Sequence, residues 1–213
     1  MKKFLLFLIL PVIAFSAVSC GEKGPVTPPD NDQTLFIYMP WSNNLTSEFR
    51  QNIADFETAI KNNPLEAERI LVFFMSSATE GSLFELKYEK VVSSRVTMKE
   101  YTNPEMTTAA WITSLLKDVK YYAPAKRYAM IIGAHGMGWL QVPGSRARTA
   151  DSEKYHWEYE GALKTRYFGG LSPQYQTEIT TLSKGIKDAG MKMEYMMFDD
   201  CYMSCVEVAY ELK

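Results

Sequence analysis

Four short apolar runs, separated by segments of helical period, restrict the fold of this chain more than any other feature. They are Thr34-Leu35-Phe36-Ile37-Tyr38-Met39, Ile70-Leu71-Val72-Phe73-Phe74-Met75, Arg127 to Ala134, and Met193 to Phe198. The first is continuous rather than alternating, as expected of a strand covered on both faces, the second reads as a buried strand too, and the other two are largely apolar. Between the first two, Phe49, Ile53, Phe56 and Ile60 recur at spacings of three and four. They form one stripe of a helix over 45–60, with Thr46 or Ser47 as its cap and Asn62-Asn63-Pro64 as its end. Asn103-Pro104-Glu105 predicts the start of a second helix running through Trp111, Leu115 and Leu116 to Tyr121. A third is expected from Gln174 to Ala189, closed by Gly190, and a fourth from Ser204 to Lys213. The more polar stretch from Leu83 to Val92 is expected to form an antiparallel pair at the edge. Strands alternating with crossover helices predict an α/β fold, a mainly parallel sheet flanked by helices on both faces.

The N-terminus reads as an export signal. Lys2 and Lys3 precede an apolar stretch, Phe4 to Phe15, too short to span a bilayer, and Ala17-Val18-Ser19-Cys20 ends it with small residues and a cysteine. That ending resembles a bacterial lipobox, with Ala17 where Leu is more usual. The resemblance implies a signal peptide over 1–19 and lipidation of Cys20, hence an exported, membrane-anchored lipoprotein, periplasmic or on the cell surface. The Pro-rich, polar stretch from Gly21 to Asp32 completes a tether over 20–33, and the folded domain is expected over 34–213. An ordinary secretory signal with an incidental cysteine is the plainer alternative.

In open parallel sheets, ligands bind beyond the carboxyl ends of the strands. Two of the apolar runs stop there at reactive residues: one at His135-Gly136, the other at Asp199-Asp200-Cys201. The chain has only 2 His and 3 Cys. With Cys20 assigned to the signal, the pairing lies between His135 or His156 and Cys201 or Cys205. His156 falls in an aperiodic polar loop and reads as a surface residue. Cys205 begins an apolar segment and reads as a small core hydrophobe. A Cys201–Cys205 disulfide has poor geometry one helical turn apart. His135 and Cys201 therefore form the expected base and nucleophile, the thiolate favoured by the imidazole and by the helix start at Ser204. Glycine after the base leaves the Gly136 N–H open to an oxyanion.

Ala134-His135-Gly136-Met137-Gly138-Trp139 after one strand and Phe198-Asp199-Asp200-Cys201-Tyr202-Met203 after the next resemble the clostripain family of cysteine peptidases, relatives of caspases. Glu207-Val208-Ala209-Tyr210 matches the family's tail, whereas Asp200 and Tyr202 replace its usual Ala and Leu. The resemblance implies a caspase-like sheet and an endopeptidase cleaving protein or peptide substrates after Arg or Lys. His135 and Cys201 would be its dyad, the N–H groups of Gly136 and Cys201 its oxyanion hole, and Asp199 the acid that receives the basic P1 side chain. Asp199 has a plainer reading as a strand-end acid. A second carboxylate at Asp200 is expected to oppose thiolate formation unless it points away from the site. The family also implies self-cleavage between histidine and cysteine. Arg146 and Arg148, in the loop-like stretch from Gln141 to Pro173, are the expected positions, with Lys164 and Arg166 behind them.

Only four core strands are counted where caspase-like folds have six, and the chain ends inside an expected helix, so the domain reads as C-terminally truncated. The competing function is a catalytically inactive surface lipoprotein, a binding module that keeps the fold. A flavodoxin-like nucleotide binder is disfavoured because no strand leads into a Gly-rich phosphate loop. A net charge of −2, with Lys and Arg scattered, lacks the footprint of a nucleic-acid binder. No cofactor is evident, and two isolated His and three separated Cys make no metal site.

Overall fold

The computed structural model describes residues 31–89, 92–138 and 166–213. Its elements, in order, are β1 (Gln33–Met39), α1 (Thr46–Asn62), β2 (Glu68–Met75), β3 (Glu80–Glu89), β4 (Val92–Thr102), α2 (Ala109–Tyr122) and β5 (Arg127–Gly133). There follow β6 (His135–Met137), β7 (Tyr167–Gly169), β8 (Gln176–Glu178), α3 (Ile179–Asp188), β9 (Met193–Asp199) and α4 (Val206–Leu212). A six-stranded sheet has the order β4-β3-β2-β1-β5-β9. Its four parallel strands are the four apolar runs, and the β3–β4 hairpin adds two antiparallel strands at the edge.

The alternation of side chains along a strand divides the core in two. Ile37, Met39, Val72 and Phe74 face Phe49, Ile53 and Ile60 of α1 on one side of the sheet. Phe36, Tyr38, Leu71, Phe73, Met130 and Ile132 face the other side, where Ile112, Leu115, Leu116 and Val119 of α2, Leu182 of α3 and Val208 of α4 cover them. β1 and β2 are apolar at nearly every position because both their faces are roofed, whereas β9 carries Glu194 and leaves Tyr195 and Met197 exposed.

Several boundaries differ from expectation. The domain packs from Asn31, which donates to Thr34 and to the Pro124 carbonyl. Neither Thr46 nor Ser47 caps α1: the Thr46 hydroxyl bonds the Asn43 carbonyl and the Ser47 hydroxyl bonds Glu48. Asn103 does not open α2, because it turns left-handed (φ 50°) to bond the Thr79 carbonyl. The helix waits until Ala109, capped by Thr108, whose hydroxyl accepts the Trp111 N–H. The antiparallel pair is longer than Leu83–Val92, running from Glu80 to Thr102. The third helix starts at Ile179 rather than Gln174, since Gln176–Glu178 form β8 instead. With β6 and β7 this strand makes a small second sheet, ordered β6-β7-β8 and antiparallel throughout.

Candidate active site

The strand order doubles back at β1: β2 lies on one side of it and β5 on the other. Crossovers leave such a point on opposite faces of the sheet, so a crevice opens where β1 and β5 end. Two side chains meet there. The Nε2 of His135, just past β5, lies 2.8 Å from Oδ1 of Asn44, which sits in the 3₁₀ turn Asn43–Leu45 after β1. An amide oxygen only accepts, so Nε2 carries the imidazole proton and Nδ1 keeps its lone pair. Desolvation lowers the His135 pKa from its ordinary value, favouring the neutral ring.

Asn44 is itself held. Its neighbour Asn43 adopts φ 58°, and the Asn43 Oδ1 accepts the Leu171 N–H at 2.9 Å. The turn that orients the histidine is thus anchored to the segment joining β7 and β8.

Parallel pairing of β5 with β9 aligns Gly133 with Asp199, so the residues that follow each strand emerge side by side. Close packing then brings His135 and Cys201 segments together. A Cβ on Gly136 would collide with the Cys201 carbonyl oxygen and lie 2.8 Å from both Asp200 Cβ and Met203 Cγ. One on Gly138 would collide with the Tyr202 carbonyl. Tyr202 is left-handed (φ 58°), turning the chain immediately after the thiol. Cys201 is exposed and Cys205 half-buried against the core, both as free thiols.

Asp200 does not act as expected. Its Oδ1 accepts the Ala134 N–H at 2.8 Å, tying the end of β9 to the end of β5. Burial pushes its carboxyl up to about 8, against the lowering effect of that N–H and with a small addition from Asp199. Near neutral pH it is an uncharged acid, which removes most of its opposition to a thiolate. The expected help from a helix start is also absent: α4 begins only at Val206, with no side-chain cap at Cys205.

Asp199 is exposed and lines a cavity of about 320 Å³ with Ile37, Met39, Phe56, Met197 and Asp55. A larger open groove of about 940 Å³ on the other face of β9 is lined by Met193, Met196, Phe198, Cys205 and Val206. Arg166 is buried, 4% exposed, and is a poor site for cleavage in this form. Cys20, Arg146, Arg148, His156 and Lys164 lie outside the described residues. Among the described residues, no cluster of three or more His, Cys, Asp or Glu is placed to hold a metal.

A sequence model of the Clostripain family, Peptidase_C11, matches residues 37–213. The chain is 55% identical to a secreted C11 cysteine protease from Bacteroides thetaiotaomicron, "iotapain", with a TM-score of 0.73 over 88% of this chain and 50% of that one. It is 54% identical to a clostripain from Bacteroides thetaiotaomicron ATCC 29148 solved in complex with a peptide inhibitor, with a TM-score of 0.51 over 53% of this chain and 97% of that one. An inactive zymogen C11 protease from Parabacteroides distasonis shares the fold at 23% identity and a TM-score of 0.64, over 88% of this chain and 47% of that one. The chain thus spans about half the length of the iotapain chain. No curated protein matches it.

Proposed function

Since the chain belongs to the clostripain family of cysteine peptidases, we propose that it carries the catalytic dyad of an endopeptidase that cleaves peptides after Arg or Lys. The observation that carries this reading is the convergence of the His135 and Cys201 segments, through the Gly133–Asp199 register and the packing of Gly136 on Cys201. With Nε2 engaged by Asn44, Nδ1 of His135 takes the Cys201 proton, and the thiolate attacks the scissile carbonyl carbon. The N–H groups of Gly136 and Cys201 receive the developing oxyanion. The imidazolium then returns its proton to the leaving amine, and water, deprotonated by the same nitrogen, hydrolyses the thioester. Asp199 offers a carboxylate to the basic P1 side chain, beside apolar walls that suit its methylene stem.

Export fits the iotapain relative, a secreted protease. The proposal includes a signal peptide over 1–19, lipidation at Cys20 and a tether that holds the domain off a membrane. Self-cleavage at Arg146 or Arg148 belongs to it too, and a zymogen with the same fold is in keeping with that step. The inactive binding module drew part of its support from Asp200, and the bond of that carboxyl to the Ala134 N–H weakens that part.

Hydrolysis of peptide reporters ending in Arg, Lys, Gln or Leu tests the reading. Activity confined to the first two, abolished in Cys201→Ala and retained in Cys205→Ala, is the expected result. Loss in Cys205→Ala with retention in Cys201→Ala would overturn the assignment.

A further inference from the structure

The Asp200 carboxyl is out of place as a bystander. It is largely withdrawn from water immediately before the exposed Cys201, it bonds the backbone immediately before His135, and its Oδ2 is a buried oxygen with no hydrogen-bond partner. An ionised carboxylate in that position would leave a negatively charged oxygen unsolvated, a larger cost than the unpaired O–H of a neutral acid.

We propose that Asp200 is a positioning residue, which acts as a neutral acid to lock the His135 segment against the Cys201 segment through the Ala134 N–H. The inference rests on the peptidase reading for its effect on turnover, but not for its effect on the thiol.

The physical argument runs through the two strand ends. β5 and β9 are paired up to Gly133 and Asp199, and beyond that pair the ladder stops while the chains that carry the reacting groups continue. The Asp200–Ala134 bond supplies one more link past the last pair, between the residue preceding each reacting group. Gly136 and Gly138, pressed on the carbonyls of Cys201 and Tyr202, close the gap without a side chain between them. The titratable groups around Asp200 are Asp199 on β9, His135 on β6 and the Cys201 thiol next in the chain. Only Asp199 contributes a charge to its titration, in the direction that keeps the proton on. When Asp200 does ionise, with its midpoint near pH 8, two consequences follow. The buried charge favours opening of the turn toward water, and it adds a negative neighbour to the thiolate. Ionisation strengthens the single N–H bond but strands the charge away from water, and this larger cost loosens the lock in alkali.

Three proteins decide this: wild type, Asp200→Asn, which still offers an oxygen to the Ala134 N–H but cannot ionise, and Asp200→Ala, which offers none. The rate of iodoacetamide alkylation at Cys201 is followed from pH 5 to 10 by intact mass and peptide mapping, together with kcat and KM on the reporter peptides. Alkylation of wild-type Cys201 is expected to lag behind Asp200→Asn above pH 8 by about tenfold, the effect of one added close negative charge. Asp200→Ala is expected to lose about 100-fold in kcat with KM little changed, the scale of a misplaced reacting pair, and Asp200→Asn to recover most of it and to lack the wild-type fall in kcat above pH 8. Coincident alkylation profiles for wild type and Asp200→Asn, or full turnover in Asp200→Ala, would overturn the proposal. Should none of the proteins cleave any reporter, the peptidase reading fails, while the alkylation profiles still decide the role of Asp200.

Discussion

His135 can take a proton from a thiol through Nδ1 only while Nε2–H is held elsewhere, and Asn44 holds it. Replacing Asn44 by Ala frees the ring to rotate and to change tautomer, so kcat should fall by about 10- to 100-fold with KM nearly constant. Desolvation keeps the imidazole neutral to lower pH than usual, which places the acid limb of the kcat/KM profile below 6.5. Asn44→Asp adds a negative partner for the imidazolium, so its acid limb should move upward. Asp200 gives a second pH signature, in stability. Its folded pKa, about 8, stands above the ordinary value of 3.8, so between these values the folded chain holds a proton that the unfolded chain has released. The contribution is fully present below about 4 and lost as pH rises through 8. Melting temperature should therefore decline from pH 5 to 8 in wild type and decline less in Asp200→Asn. His135 and Cys201 were legible because each stands where an apolar run stops. Asn44 was not, since its partner lies 91 positions away and Asn43-Asn44 has no period or motif. The direction of the Asp200 side chain was left open, because only the fold tells which way a side chain points.

The inner parallel strands announce themselves because both faces are roofed and nearly every position along them is apolar. The three-residue strands β6, β7 and β8 do not, being too short for any period, and their sheet exists only because the chain doubles back to seat Gly136 and Gly138. The start of α2 was misread because Asn103-Pro104 has the composition of a helix start while its backbone serves the hairpin. The hairpin has another tie that sequence could not reveal. Arg69 on β2 donates Nε and Nη2 to the two oxygens of Glu85 on β3, at 2.7 and 2.8 Å, and Nη1 to the Tyr122 carbonyl at the end of α2. Glu85 is 4% exposed. Glu85→Ala leaves the Arg69 guanidinium without its carboxylate in a partly buried place, and an equilibrium urea melt should show a loss of about 3 kcal/mol. Glu85→Gln, which keeps one acceptor, should lose less.

Across the whole molecule, the two outer strands of the six-stranded sheet are unlike. On β4, Arg95 reaches Glu57 on α1 at 2.6 Å and Lys99 reaches Asp118 on α2 at 2.7 Å, so charged arms clasp the helices on both faces. On β9, Tyr195 and Met197 are each 48% exposed on one face, and the groove beside Met193, Met196 and Phe198 opens on the other. Among the described residues, β5 is its sole strand partner. Charged edges resist further pairing, and long apolar ones invite it. Among the described residues, β9 is therefore the edge open to a further strand. A preparation of this 213-residue chain should sediment as concentration-dependent pairs that meet β9 to β9, and Met197→Lys should return it toward a single copy. Growth confined to one rim would make such assemblies stop at two, because once the β9 edges have joined, each outward side presents only the charged rim.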